Sequence, residues 1–246
     1  MSRPARRAPA FPRFAQLLCA LAALATSSAC QWGSAGFAGA IGDRTFDPNG
    51  TVFTYLDSYD DSLNEDERPR VVVFMTWLIF DPSSDLRDVD GATLEGLKHE
   101  LALRDAMAIV FDDQTEVTAG AAFESRTTSG IEESNDGLSA RIHFAAERLT
   151  GASTYADFRP FGSERVVTVT IDSAGFVDGG VRGVNGSVVV DVSAADSDPA
   201  DALTGRLEGR FSAPLVEERV AESNLSLLAA DGVLGVPLAP RPVEEE

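Results

Sequence analysis

The chain is poor in the residues that carry most familiar chemistry. It has two cysteines, two histidines and two tryptophans in 246 residues, and Lys98 is its only lysine. Two cysteines allow one disulfide at most, which excludes a disulfide-stapled scaffold. A zinc centre built on His99 and His143 would have to recruit carboxylates for its remaining ligands. The patterns G-x-S-x-G, H-E-x-x-H and G-x-x-x-x-G-K-[ST] are missing, and with them the usual signatures of a nucleophile elbow, a zinc protease and a phosphate-cradling loop. No apolar run reaches the roughly 20 residues that a helix needs to cross hydrocarbon. No repeat of roughly 20–50 residues and no heptad pattern is present. Basic residues are scarce as well: 20 Lys and Arg stand against 39 Asp and Glu, a net charge of −19. Nucleic acid and anionic lipid are bound chiefly through Lys and Arg, so this balance argues against both as partners.

The first residues depart from this acidity. Arg3, Arg6, Arg7 and Arg13 precede the mostly apolar segment 14–25, and Thr26, Ser27, Ser28 and Ala29 follow it, with no acidic residue among them. A basic start, a short apolar middle and a small-residue exit predict a secretory signal peptide over residues 1–29. Cleavage there would make Cys30 the first residue of the mature chain. Cys19 lies in the removed segment, so Cys30 would be the only thiol left and no intramolecular disulfide would form. Without the four leader arginines, 16 basic residues face 39 acidic ones, and the mature charge is −23.

These residues resemble the bacterial lipoprotein signal, whose cleavage box ends in small residues before an invariant cysteine. Ser28 and Ala29 fit it; Ser27 stands where that family usually has leucine. The resemblance implies acylation of Cys30, and acyl chains at roughly 0.8 kcal/mol per buried methylene would anchor the protein on a bilayer. In that family an acidic residue after the cysteine marks inner-membrane retention, so Gln31 implies the outer membrane. The segment "GSVVVDVSAADSDPADALTGRLEGRFSAPL" (186–215) is similar to the C-terminal part of uncharacterised lipoproteins of high-GC Gram-negative bacteria. That likeness implies a β fold and an exported address.

Past the cysteine, Gly and Ala dominate 30–44, read as a tether. Asp47-Pro48-Asn49-Gly50 is a turn signal leading into a strand at 51–56. The acidic loop 57–70 precedes "VVVFMTWLIF" (71–80), whose β-branched and aromatic residues predict a fully buried strand with Trp77 in the core. Leu94, Leu97 and Leu101 recur at i, i+3 and i+7, predicting one amphipathic helix over 92–104. A strand returns at 106–113. Residues 138–147, 167–171, 188–192 and 203–211 alternate with period two, which predicts antiparallel sheet with one wet face. His143 would stand on that wet face, and Asn185-Gly186 and the loop Asp196–Asp201 would be hairpin turns. The sequence therefore predicts a mainly β chain: an antiparallel β-sandwich, or a barrel-like relative, with one short amphipathic helix. The domain would occupy 45–222, followed by a partly disordered tail at 223–246.

For chemistry the acidic loops stand out. Asp81, Asp85, Asp88 and Asp90 precede Gly91, and Asp88-Val89-Asp90-Gly91 matches half of a calcium loop; calcium takes 6–8 oxygens at about 2.3–2.6 Å. The rest of that pattern fails, since Leu86 stands where the first aspartate belongs and Ala92 follows the glycine. Asp57, Asp60, Asp61, Glu65, Asp66 and Glu67 form a denser cluster that fits no ligand spacing. The expectation is thus an envelope lipoprotein with a non-enzymatic binding or structural role and a protein or glycan partner. A calcium-stabilised adhesive or carbohydrate-binding module is the alternative, and an envelope hydrolase using His99 or His143 as base is the third. No cofactor is expected, calcium at the acidic loop being the one possibility.

Overall fold

The structure is a computed structural model, and it describes residues 33–42, 44–58, 69–128, 131–135, 137–144, 163–176, 182–194 and 204–234. The signal segment with Cys30, most of the loop 57–70 and the loop Asp196–Asp201 lie outside these residues.

Among the described residues, ten strands form two antiparallel sheets, open rather than closed into a barrel. In chain order they are β1 (Ser34–Ile41), β2 (Thr51–Asp57), β3 (Arg70–Thr76), β4 (Ala106–Phe111), β5 (Ala122–Thr128), β6 (Ile131–Asn135), β7 (Leu138–His143), β8 (Ser163–Gly175), β9 (Gly183–Ala194) and β10 (Gly205–Pro214). A six-stranded sheet runs β1-β10-β9-β8-β5-β6, and a four-stranded sheet runs β2-β3-β4-β7. The alternation read from the sequence sets the inner faces. Val167, Val169, Ile171, Val188, Val190, Val192, Leu207 and Phe211 project from the larger sheet. They meet Val52, Val71, Val73, Met75, Met107, Ile109, Phe111, Ala140 and Ile142 of the smaller one. Arg165 is buried beside the valines, and its guanidinium donates across the sandwich to the Ala140 carbonyl at 3.2 Å. The outer face of the six-stranded sheet is wet. There Arg206 pairs with Asp191 and Glu208, both at 2.6 Å, and Arg126 pairs with Glu164.

The four-stranded sheet is covered on its second face too. Phe53, Tyr55, Val72, Phe74, Ala106 and Ala108 form a separate core with Leu78, Phe80 and Leu86. Three helices close it: α1 (Gly91–Ala102), α2 (Glu218–Leu227) and α3 (Ala230–Leu234). This double cover is why 71–76 reads as an unbroken apolar run: alternate side chains enter different cores. The expected helix is α1, started by Asp90, whose carboxylate accepts from the Ala92 and Thr93 amides at 3.0 Å. Helix α2 straddles the expected end of the domain at residue 222, and α3 falls in the segment read as a tail. In α2, Ala221, Asn224 and Leu225 face the core, with Leu228 one turn on.

Four expectations need correction. The segment read as a tether contains β1, which pairs with β10 from Ser34↔Ser212 to Ile41↔Gly205. Its small residues suit this edge, where Phe37 lies over Gly209, a position at which a Cβ would collide with the ring. Asn185 and Gly186 sit inside β9, opposite Ser173 and Ile171, beside a bulge, and not in a turn. β3 stops at Thr76, so Trp77 is 39% and Ile79 77% exposed. His143 is 2% exposed, because the face of β7 that it occupies lies under the helical layer and not in water.

Candidate functional site

The acidic residues favoured by the sequence are each committed locally. Asp81 accepts from the Ser83 amide at 2.9 Å and from the Ser83 and Ser84 hydroxyls at 2.8 and 2.7 Å. Asp85 caps a single 3-10 turn, Leu86–Asp88, and holds the Arg87 guanidinium at 2.9 Å. Asp90 caps α1 and also accepts the Thr93 hydroxyl at 2.6 Å. These bonds hold all three carboxyls below the usual carboxylate range, with the side-chain donors of Arg87 and Thr93 leading for Asp85 and Asp90. Asp88 is exposed on the same turn. The structure does not bring the four together: among the described residues, the one gathering of three potential ligands within 4.8 Å lies elsewhere. The two histidines are also apart. His99 is exposed on α1, whereas Nε2–H of His143 donates to the Ala102 carbonyl at 3.1 Å, and burial pushes its imidazole below its ordinary value.

That gathering is Asp57, Glu218 and Glu222. Asp57 ends β2, the two glutamates lie one turn apart on α2, and so the cluster sits where the helical layer meets the sheet. The Asp57 carboxylate is wholly buried and is paired with Arg70, its register partner on β3. Oδ2 takes the Arg70 guanidinium, while Oδ1 is buried with no hydrogen-bond partner. Burial outweighs the Arg70 charge, so the Asp57 carboxyl is held above the ordinary carboxylate value. Glu218 accepts the Ser58 amide at 2.6 Å and the Ser58 hydroxyl at 3.1 Å. Among the described residues no cation pairs with Glu222. Burial first, then the charges of Glu218 and Asp57, push its carboxyl from 4.5 up to about 7.

Three carboxylates against one guanidinium leave an excess of negative charge, and like charges at this range resist ionising together. A proton on Glu222 relieves it. A hard divalent cation wants six or more oxygens; here Arg70 already neutralises Asp57, and both Glu218 oxygens are engaged by Ser58. The cluster thus joins α2 to the end of β2 through Glu218 and Ser58, with burial and neighbouring charge favouring the protonated form of Glu222. Sequence reasoning had Asp57 within an acidic run but no means of joining it to residues 218 and 222, since the contact spans some 160 residues.

A second feature is apolar. Trp77 and Ile79 are the exposed large hydrophobic residues among those described. They flank a cleft of about 360 Å³ against α1, lined by Thr93, Gly96, Leu97 and Glu100. Gly96 opens it, since nothing stands within 4 Å of where its Cβ would be. The Arg104 guanidinium lies 4.0 Å from the Trp77 ring centroid, a cation–π contact that occupies the ring face. No known protein family, characterised protein or solved structure matches the chain.

Proposed function

We propose that the protein is a bacterial envelope lipoprotein, held by acyl groups on Cys30, with a non-enzymatic role in binding a partner or supporting the envelope, and with the outer membrane as its address. The observation that carries this reading is the leader: four arginines, an apolar middle and small residues ending at Cys30, the one thiol of the mature chain. A lone free thiol in an oxidising compartment is a liability that acylation removes. Two structural features support the non-enzymatic part. His143 has its Nε2 engaged by a backbone carbonyl under the helical layer, and Asp85 and Asp90 serve as helix caps.

The experiment is the mass of the N-terminal peptide from protein extracted out of native membranes. A diacyl- or triacyl-cysteine at position 30 is the expected result. A free amino terminus at Cys30, or a chain beginning elsewhere, would refute the anchor and with it the envelope address.

A further inference from the structure

The apolar tip and the start of the domain lie at one end of the four-stranded sheet. Gly33 precedes β1 with φ +77°, and a Cβ there would collide with the Val52 carbonyl oxygen on β2. Val52 follows Thr51, whose amide donates to the Leu78 carbonyl at 3.0 Å, and Gly50 donates to the Thr76 carbonyl at 2.8 Å. At 3.8 Å per residue, Ile79 therefore falls on the order of 15 Å from Gly33. Three peptide units separate Gly33 from Cys30, so their Cα atoms are at most about 11 Å apart. A bilayer holding acyl chains on Cys30 thus keeps this end of the domain within reach of its surface.

We infer that the Trp77–Ile79 segment is a membrane-docking tip, which seats in the headgroup region of the bilayer that holds Cys30. This rests on the acylation proposed above. The chemistry fits an interface: an indole, an isoleucine 77% exposed and an arginine stacked on the indole. Tryptophan favours the membrane–water boundary, and arginine can reach lipid phosphate while its stem stays apolar. Two apolar side chains bind a membrane weakly by themselves. A short anchor makes the contact intramolecular and raises the effective concentration of lipid at the tip. The acidic surface selects the headgroup: a mature chain of net charge −23 is repelled by anionic lipid and suits a zwitterionic face.

The test uses the mature, acylated protein in phosphatidylcholine vesicles carrying brominated lipid. The chain has two tryptophans, so Trp32→Phe leaves Trp77 as the sole reporter and Trp77→Phe leaves Trp32 beside the anchor. Docking predicts that brominated lipid quenches Trp77 by at least half, and that adding Ile79→Asp abolishes most of this quenching while leaving Trp32 quenched in its own reporter variant. Ile79 is exposed, so the melting temperature of the Asp variant should be unchanged. An acylated protein whose Trp77 is not quenched, or whose quenching survives Ile79→Asp, would overturn the docking tip and leave the lipoprotein reading intact. An N-terminal peptide without acyl groups would overturn both.

Discussion

Replacing Glu222 by glutamine should stabilise the protein above neutral pH and leave it unchanged in acid. The Glu222 carboxyl is raised from 4.5 to about 7 by burial and by Glu218 and Asp57. The folded state therefore binds a proton more tightly than the unfolded chain between those two values. Stability from this group is complete below pH 4.5 and is lost as pH rises towards 7. At about 1.4 kcal/mol per pH unit, that rise corresponds to roughly 3 kcal/mol for a fully buried group. Glu222 is only half-buried, and water screens such interactions, so a loss of about 1 kcal/mol is the reasonable expectation. Glutamine keeps the shape of the protonated acid without the charge. The assay is urea unfolding of both proteins at pH 4.5 and pH 8. The variant should gain about 1 kcal/mol at pH 8, or some 2–4 °C in melting temperature for a domain of this size, and nothing at pH 4.5. Titrating groups outside the cluster move both proteins together, so the difference isolates the Glu222 charge and its coupling to Glu218 and Asp57. A gap that is the same at both pH values, or a variant less stable at pH 8, would refute the charge crowding at the α2–β2 junction.

Asn224 is wholly buried and ties α2 to the loop before α1: its Oδ1 accepts from the Leu86 amide at 2.8 Å, and its Nδ2 donates to the Pro82 and Ser84 carbonyls at 3.2 and 2.9 Å. Asn224→Ala should cost about 3 kcal/mol, at roughly 1 kcal/mol per lost bond, and a fall of under 1 kcal/mol in thermal unfolding would contradict that arrangement. Ala229 follows α2 with φ 54°, a left-handed conformation suited to glycine, and it is exposed. Ala229→Gly should therefore raise stability by about 1 kcal/mol, and a loss by circular dichroism melting would count against this helix end. Asp90→Ala removes the α1 cap and should cost about 1 kcal/mol with or without calcium, whereas Asp88→Ala should be nearly neutral. A calcium-dependent rise in melting temperature abolished by either substitution would restore the loop as a metal site.

Which faces are apolar could be read from the sequence; whether the opposite face is wet could be read for the larger sheet but not for the smaller. Alternation in 167–171, 188–192 and 203–211 correctly marks the inner face of the larger sheet, because its other face meets only water. The same logic fails for β7. His143 alternates away from Ala140 and Ile142 as a solvent-facing residue would, but a third layer lies there. That layer was hard to foresee, since its stripe of Ala221, Asn224, Leu225 and Leu228 contains a small and a polar member and has little hydrophobic weight. The polar member is the one that makes the tie to residues 82–86. β1 was missed for a related reason: Gly and Ala read as linker by composition, although their smallness suits an edge strand with Phe37 folded over Gly209. The carboxylate cluster had no local signal, because it forms only once α2 docks on the end of β2.

The pairing of β1 with β10 makes the first strand wait for the last. During synthesis, β1 emerges early and its partner only with residues 205–214. The aromatic face of β2 and β3 waits longer still, for the helices at 218–234. Such long-range closure is slow, and it leaves apolar surface open to other chains in the meantime. A nascent chain ending before residue 204 thus has an open sheet edge beside an aromatic face that only residues 78–102 have begun to cover.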